Sequence, residues 1–115
     1  MIAVIFEALP HVGKSAAYFD IAVGLRPQVE RIEGFISIER FASVTQPGKF
    51  LSLSFWRDEQ SIERWRGVGT HRQAQQAGRD TIFADYRLRV AQVVRDYGLR
   101  DRAQAPTDAG KFVSA

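Results

Sequence analysis

Between residues 35 and 56 the chain alternates apolar and polar residues twice, as FISIERFAS (35–43) and as FLSLSFW (50–56), with TQPGK between them. Period two is the spacing at which successive side chains leave a strand on opposite sides. Pro-Gly is turn chemistry, so this stretch predicts a β-hairpin. An isolated hairpin cannot bury a face, and the rest of the chain has to supply the other strands and a roof.

The flanking segments supply both. MIAVIFEAL (1–9) is dense in β-branched and aromatic residues and predicts a first strand stopped by Pro10. From Lys14 to Ile32 the period changes: Tyr18, Ala22, Leu25, Val29 and Ile32 recur at steps of 4, 3, 4 and 3, one stripe of a helix. Pro27 lies inside that stripe and lacks the amide for residue 23, which predicts a kink or break near Leu25 and Arg26. After the hairpin, Asp58 is an expected N-cap for a helix bearing Ile62 and Trp65, interrupted by Gly67 and Gly69. Thr70 and Gln73 have capping-box spacing for a second helical start. DYRLRVAQVVRDY (85–97) predicts the last strand. The order is β-α-β-β-α-β, an α+β ferredoxin-like arrangement with an antiparallel sheet. The expected domain is 1–98, followed by a loosely held tail over 99–115.

Alternation divides the sheet into two faces. Ile36, Ile38, Leu51, Leu53, Phe55, Leu88 and Val90 are expected to lie under the helices. The opposite set mixes Ser37, Glu39, Phe41, Ser52, Ser54, Trp56, Arg87, Arg89 and Ala91. A monomer would leave Trp56 and Phe41 wet, whereas a second copy on that face would bury them, which predicts a C2 homodimer.

Composition narrows the function. With 115 residues and 45% apolar side chains there is material for one core. The absence of cysteine excludes disulfides, thiolate nucleophiles and zinc–cysteine sites, and two histidines make a transition-metal site improbable, so no metal is expected. No signal peptide or membrane span is legible, and the expected location is cytoplasmic. The net charge of +3 comes from thirteen arginines and three lysines interspersed with acids, a mixed surface without a basic block, so no nucleic-acid partner is expected. An RNA-recognition domain shares the element order, but KFLSLSFW (49–56) lacks the glycines and stacking aromatics of its third strand. LPHVGK (9–14) is neither a P-loop nor G-x-G-x-x-G.

GFISIERF (34–41), LSLSFWRDEQSIERW (51–65), His71 and YRLRVAQVV (86–94) together resemble the antibiotic biosynthesis monooxygenase family over about residues 2–97. The resemblance implies a dimeric α+β barrel of two ferredoxin-like protomers. It implies a pocket between sheet and helices, and oxygenation without metal or flavin, hence no cofactor. A substrate that supplies its own electrons would be an electron-rich aromatic: a phenol, quinol or anthrol-like molecule. A haem-degrading branch is similar in having a tryptophan at the place of Trp65, but this chain has no asparagine for the first strand, and His71 falls early for the iron ligand.

His71 is the candidate catalytic residue: at a capped helix start the dipole favours a neutral imidazole able to take a phenolic proton. The alternative is a solvent-facing histidine at a helix start. Trp65, Phe6, Phe55 and Phe83 are expected to line a pocket for a flat aromatic, Trp65 primarily as packing. Arg40 lies between inward-facing Ile38 and Ala42, where it could hold a substrate oxygen. An ion pair with Glu39, Glu7 or a partner-chain carboxylate is the expected alternative, and Arg87 and Arg89 are read the same way. A non-catalytic, ligand-binding dimer on the same scaffold stays open beside the enzyme.

Overall fold

The computed structural model describes residues 1–69, 72, 73, 76 and 81–107. Strand β1 (Ile2–Pro10) leads to helix α1 (Ser15–Val29), the hairpin strands β2 (Phe35–Ala42) and β3 (Phe50–Trp56), helix α2 (Glu59–Arg66) and strand β4 (Phe83–Gln92). The four strands form one antiparallel sheet in the order β2-β3-β1-β4, so the first and last strands, remote in sequence, are neighbours. This is the ferredoxin-like α+β topology that the changes of period predict.

Register decides which side chains share a face, because cross-strand partners point the same way. Ile38 pairs with Ser54 and Arg40 with Ser52. On β1, Val4 pairs with Ser54 and Phe6 with Ser52, and on the other side with Val90 and Leu88. One core cluster joins Ile2 and Trp56 of this face to Val29 of α1 and Ile62 and Trp65 of α2. A second joins Ala8 to Tyr18 and Ile82, with Phe6, Phe50 and Phe83 around them. Both helices therefore roof the face that carries Ser52, Ser54 and Trp56.

That reverses the expected orientation of β3. Leu51, Leu53 and Phe55 look away from the helices, while Trp56 is 2% exposed inside the core, its indole N–H donating to Ser54 Oγ at 2.9 Å. Phe41, Arg87, Arg89 and Ala91 do lie on the open face as expected. Ile36 sits at a register shift in β2 and is half exposed.

Pro27 does not break α1, which runs on to Val29. The freed carbonyl belongs to Val23 on the solvent side, where water can serve it, and past the proline Glu30 N–H donates to the Arg26 carbonyl at 3.1 Å. The stripe survives, with Tyr18, Ala22 and Val29 buried. Strand β4 begins two residues earlier than its sequence predicts and ends at Gln92, so Val93–Tyr97 are outside it.

Helix α2 is fixed at its start by Asp58, whose Oδ1 accepts from Ser61 N–H at 2.9 Å and from Ser61 Oγ–H at 2.7 Å. Its Oδ2 accepts from Arg57 Nε at 2.8 Å. The Ser61 hydroxyl, then Arg57, hold the Asp58 carboxyl well below the usual carboxylate range. Gly34 precedes β2 with φ +91, and a Cβ there would strike the Ser61 hydroxyl. The close approach of these two residues docks the start of α2 on the entrance to β2.

Candidate functional site

Serines under a pair of helices leave space. A Ser side chain on a covered face lacks the volume that leucine would bring, and the roof cannot close onto the sheet without gaps. Between sheet and helices lies a cavity of about 300 Å³. Its floor is Val4, Phe6, Ile38, Arg40, Ser52 and Ser54. Its roof comes from the inward stripe of α1, Tyr18 to Val29, and from Ile62 and Trp65 of α2. Along β4 it is edged by Tyr86, Leu88 and Val90, whose substantial exposure marks an open side.

Trp65, Phe6, Phe83 and Arg40, named from the sequence as pocket residues, all line this cavity. Phe55 does not: it is on the opposite face of β3, for the register reason given above. His71, with Thr70, lies outside the described residues. The sequence reading missed Tyr18, Ser52 and Ser54. Tyr18 heads the α1 stripe, where a phenol among hydrocarbon positions was the available signal.

Among the described residues, two side chains that line the cavity each carry a buried polar atom without a hydrogen-bond partner: Tyr18, through Oη, and Arg40, through Nε. The Arg40 guanidinium carbon lies 6.0 Å from the Tyr18 ring centroid, so the two groups are neighbours. Neither carboxylate of this chain that was expected as a mate for Arg40 pairs with it among the described residues: Glu39 is on the opposite face of β2, and Glu7 is engaged elsewhere. Glu7 points to the open face, where it meets Arg89 at 3.0 Å and Lys49 at 3.7 Å. The hydrogen bond from Arg89, then the charge of Lys49, lower its pKa. Two other arginines touch the cavity: Arg26 is paired with Glu30 at 2.9 Å, and Arg66 is exposed at the end of α2.

Among the described residues, no group of three or more His, Cys, Asp or Glu side chains is placed to hold a metal ion, and no helix is long and apolar enough to cross a membrane.

Residues 1–77 match the family model described as antibiotic biosynthesis monooxygenase. A jasmonate monooxygenase of Pyricularia oryzae is 52% identical over 93 residues, 81% of this chain. The chain spans 43% of that relative's length. Among solved structures, a Deinococcus radiodurans protein named for the same family superposes with a TM-score of 0.76 at 14% identity, covering 86% of this chain and 98% of its own. A Mycobacterium tuberculosis protein gives 0.75 at 13% identity, covering 84% and 98%. At such identities these structures speak for the fold alone.

Proposed function

The chain belongs to the antibiotic biosynthesis monooxygenase family, and from that premise we propose that it is a monooxygenase acting, in the cavity between sheet and helices, on a small electron-rich aromatic molecule. The observation that carries the reading is the cavity itself: about 300 Å³, walled by aromatic and aliphatic side chains, with Tyr18 and Arg40 as polar members of the lining. Small-molecule sites have this composition and begin at about this size, roughly 300 Å³. An anthrol-like substrate needs no external reductant. Its ring methylene, in the keto form, becomes a carbonyl and gives four electrons; dioxygen takes all four, one atom entering the product and the other leaving as water.

Within this proposal His71 is the base that takes the proton, because the ring anion donates an electron to oxygen more readily than the neutral ring. Trp65, Phe6 and Phe83 hold the ring flat. The protein acts as a homodimer through the open face of the sheet.

A second reading has a specific support. The Pyricularia oryzae relative is named for jasmonate, and a cyclopentanone carboxylic acid would place an anion beside Arg40, whose Nε has no partner among the described residues. Hydroxylating such a C–H bond takes only two electrons from the substrate, so an external two-electron donor would have to supply the rest.

Oxygen uptake tests the two together. Wild type and His71→Ala are measured with a quinol and anthrone panel, and with jasmonate in the presence and absence of a reductant. The aromatic reading expects reductant-free uptake with a quinol or anthrone that falls at least tenfold in His71→Ala. Uptake only with jasmonate plus reductant selects the second reading. No uptake beyond autoxidation leaves a ligand-binding dimer without turnover.

A further inference from the structure

Resting on the reading of the cavity as the substrate site, we propose that its occupant binds as an oxygen anion, held by Arg40 Nε and the Tyr18 hydroxyl at the end of the cavity nearest Phe50 and Phe83. The inference starts from residues that ordinary packing does not explain. Tyr18 is 7% exposed, and its ring is flanked by Phe19, Phe50 and Phe83 at centroid distances of 5.2, 6.3 and 5.5 Å. A phenylalanine would make the same ring contacts without burying a hydroxyl that finds no partner among the described residues.

Arg40 repeats the pattern on the floor. It stands between Ile38 and Ala42 on the helix-covered face, opposite Ser52, and among the described residues it makes no ion pair. Its Nε–H can only donate, and the guanidinium can pair two donors with one oxyanion group. Glu7, two strands away across β3, is turned to the other face and held there by Arg89 and Lys49. The fold thus keeps the β1 carboxylate away from Arg40 and leaves its guanidinium over the ring of Tyr18, the side chain that carries the hydroxyl.

The rest of the cavity suits the remainder of such a molecule. Toward the opposite end it is bounded by Val4, Leu25, Val29, Ile62 and Trp65, hydrocarbon and indole surface. The other arginines that touch the cavity compete weakly for an anion, since Arg26 is paired with Glu30 and Arg66 is exposed to water. A ligand with a charged end and an apolar body would therefore favour one orientation, anion toward Arg40 and body toward Trp65. A carboxylate and a phenolate both meet this description, and a probe series separates them.

The test uses the full chain and reads binding by tryptophan fluorescence and calorimetry, without turnover. The probes are 2-naphthoate, its methyl ester, and 2-naphthol followed as pH rises through the naphthol's own ionisation. Wild type is expected to prefer naphthoate over the ester, or naphtholate over naphthol, by at least about tenfold, the size of a charge-assisted hydrogen bond. The first preference identifies the carboxylate as source and the second the phenolate. Arg40→Gln should abolish the preference, Arg40→Lys restore part of it, and Tyr18→Phe weaken the anion alone. Arg66→Gln should leave it intact.

The proposal is overturned if neither anion is preferred, if Arg40→Gln keeps the preference, or if Arg66→Gln removes it. Should Arg40→Gln fold poorly, Arg40→Met gives a second reading through its melting temperature. Removing an unpaired buried donor should leave that temperature at or above wild type, and a marked fall would mean that Arg40 serves the fold and not a ligand. Because no outcome depends on oxygen uptake, failure of the monooxygenase reading and failure of the anion site are told apart.

Discussion

Strand β3 gives Ser52, Ser54 and Trp56 to the face under α1 and α2, and Leu51, Leu53 and Phe55 to the face that neither helix covers. A protein that needed only a core would place them the other way, with leucines inside. The serines, 8% and 5% exposed, are in fact more buried than the leucines beside them. Volume is missing where the structure is roofed and hydrophobicity is present where it is not, and the two departures have different uses. The covered face keeps a cavity; the open face keeps an apolar surface, which the proposed homodimer would bury.

Charging the open face should have the largest effect. Leu53→Asp puts a carboxylate on a central strand, and in a symmetric dimer each interface carries two. An uncompensated buried polar group costs roughly 2–7 kcal/mol, so the dimer dissociation constant should rise at least about a hundredfold by light scattering across a dilution series. Ala91→Asp, on the same face at the β4 edge, should do likewise to a lesser extent. If wild type is itself a monomer at micromolar concentration, the dimeric use of this face is wrong.

Next in size is the mirror experiment on the covered face. Ser52→Leu fills the cavity floor beside Arg40 and should lower affinity for any cavity ligand at least about tenfold. Stability should stay level or rise by about 0.5–2 kcal/mol, as cavity filling commonly gives. Leu53→Ser, one residue along, should leave ligand affinity unchanged and weaken the dimer. If Ser52→Leu and Leu53→Ser behave alike, the two faces do not differ in the way described.

The element order was legible because hydrophobic period is a local property. Arg40 was read as inward from Ile38 and Ala42 on its own strand. The orientation of β3 was not legible, because nothing within FLSLSFW says which set faces in. Leu51, Leu53 and Phe55 form the more apolar set, and the usual inference put them under the helices. The missing information is the pairing of residue 40 with 52 and 38 with 54, and the seven-residue connection between β2 and β3 does not dictate register as a two-residue turn would. The continuity of α1 through Pro27 was hidden for a similar reason, since the consequence of a lost hydrogen bond depends on which side of the helix the freed carbonyl faces. The orphaned Tyr18 hydroxyl belongs to the same class of facts that only packing reveals.

A smaller effect, on stability alone, comes from the joint that sets the roof in place. Gly34→Ala brings a Cβ against Ser61 at a φ of +91, which side chains rarely adopt. Strained backbone of this kind costs about 1–3 kcal/mol, before any shift of Ser61. Denaturant unfolding should show the loss, and the cost of Gly34→Ala should be smaller in a Ser61→Gly background than in wild type, by the steric part but not the backbone part. A cost of zero in that background would mean that the glycine is there for space alone. If α2 is displaced, ligand affinity should fall with the covered face while dimerisation on the open face is spared.

The smallest effect separates the same joint by pH. Asp58 has its pKa lowered in the folded chain, by the Ser61 hydroxyl first and Arg57 second, so folding favours its ionised form. The sign follows: that contribution is fully present above the unfolded value, about 3.9 for an aspartate, and is lost as pH falls below it toward the folded pKa. Asp58→Asn keeps an oxygen for the Ser61 amide, since asparagine is an effective N-cap, but removes the titration. The variant should be slightly less stable than wild type near neutrality, and the gap should close as pH falls from about 5 toward 2. Glu7, also lowered by Arg89 and Lys49, leaves an acid slope in both proteins, and Glu7→Gln in each background isolates the Asp58 part. A gap between wild type and Asp58→Asn that stays constant with pH would mean that the carboxylate's charge does not help to hold α2, leaving the hydrogen bond to the Ser61 amide as the whole of the cap.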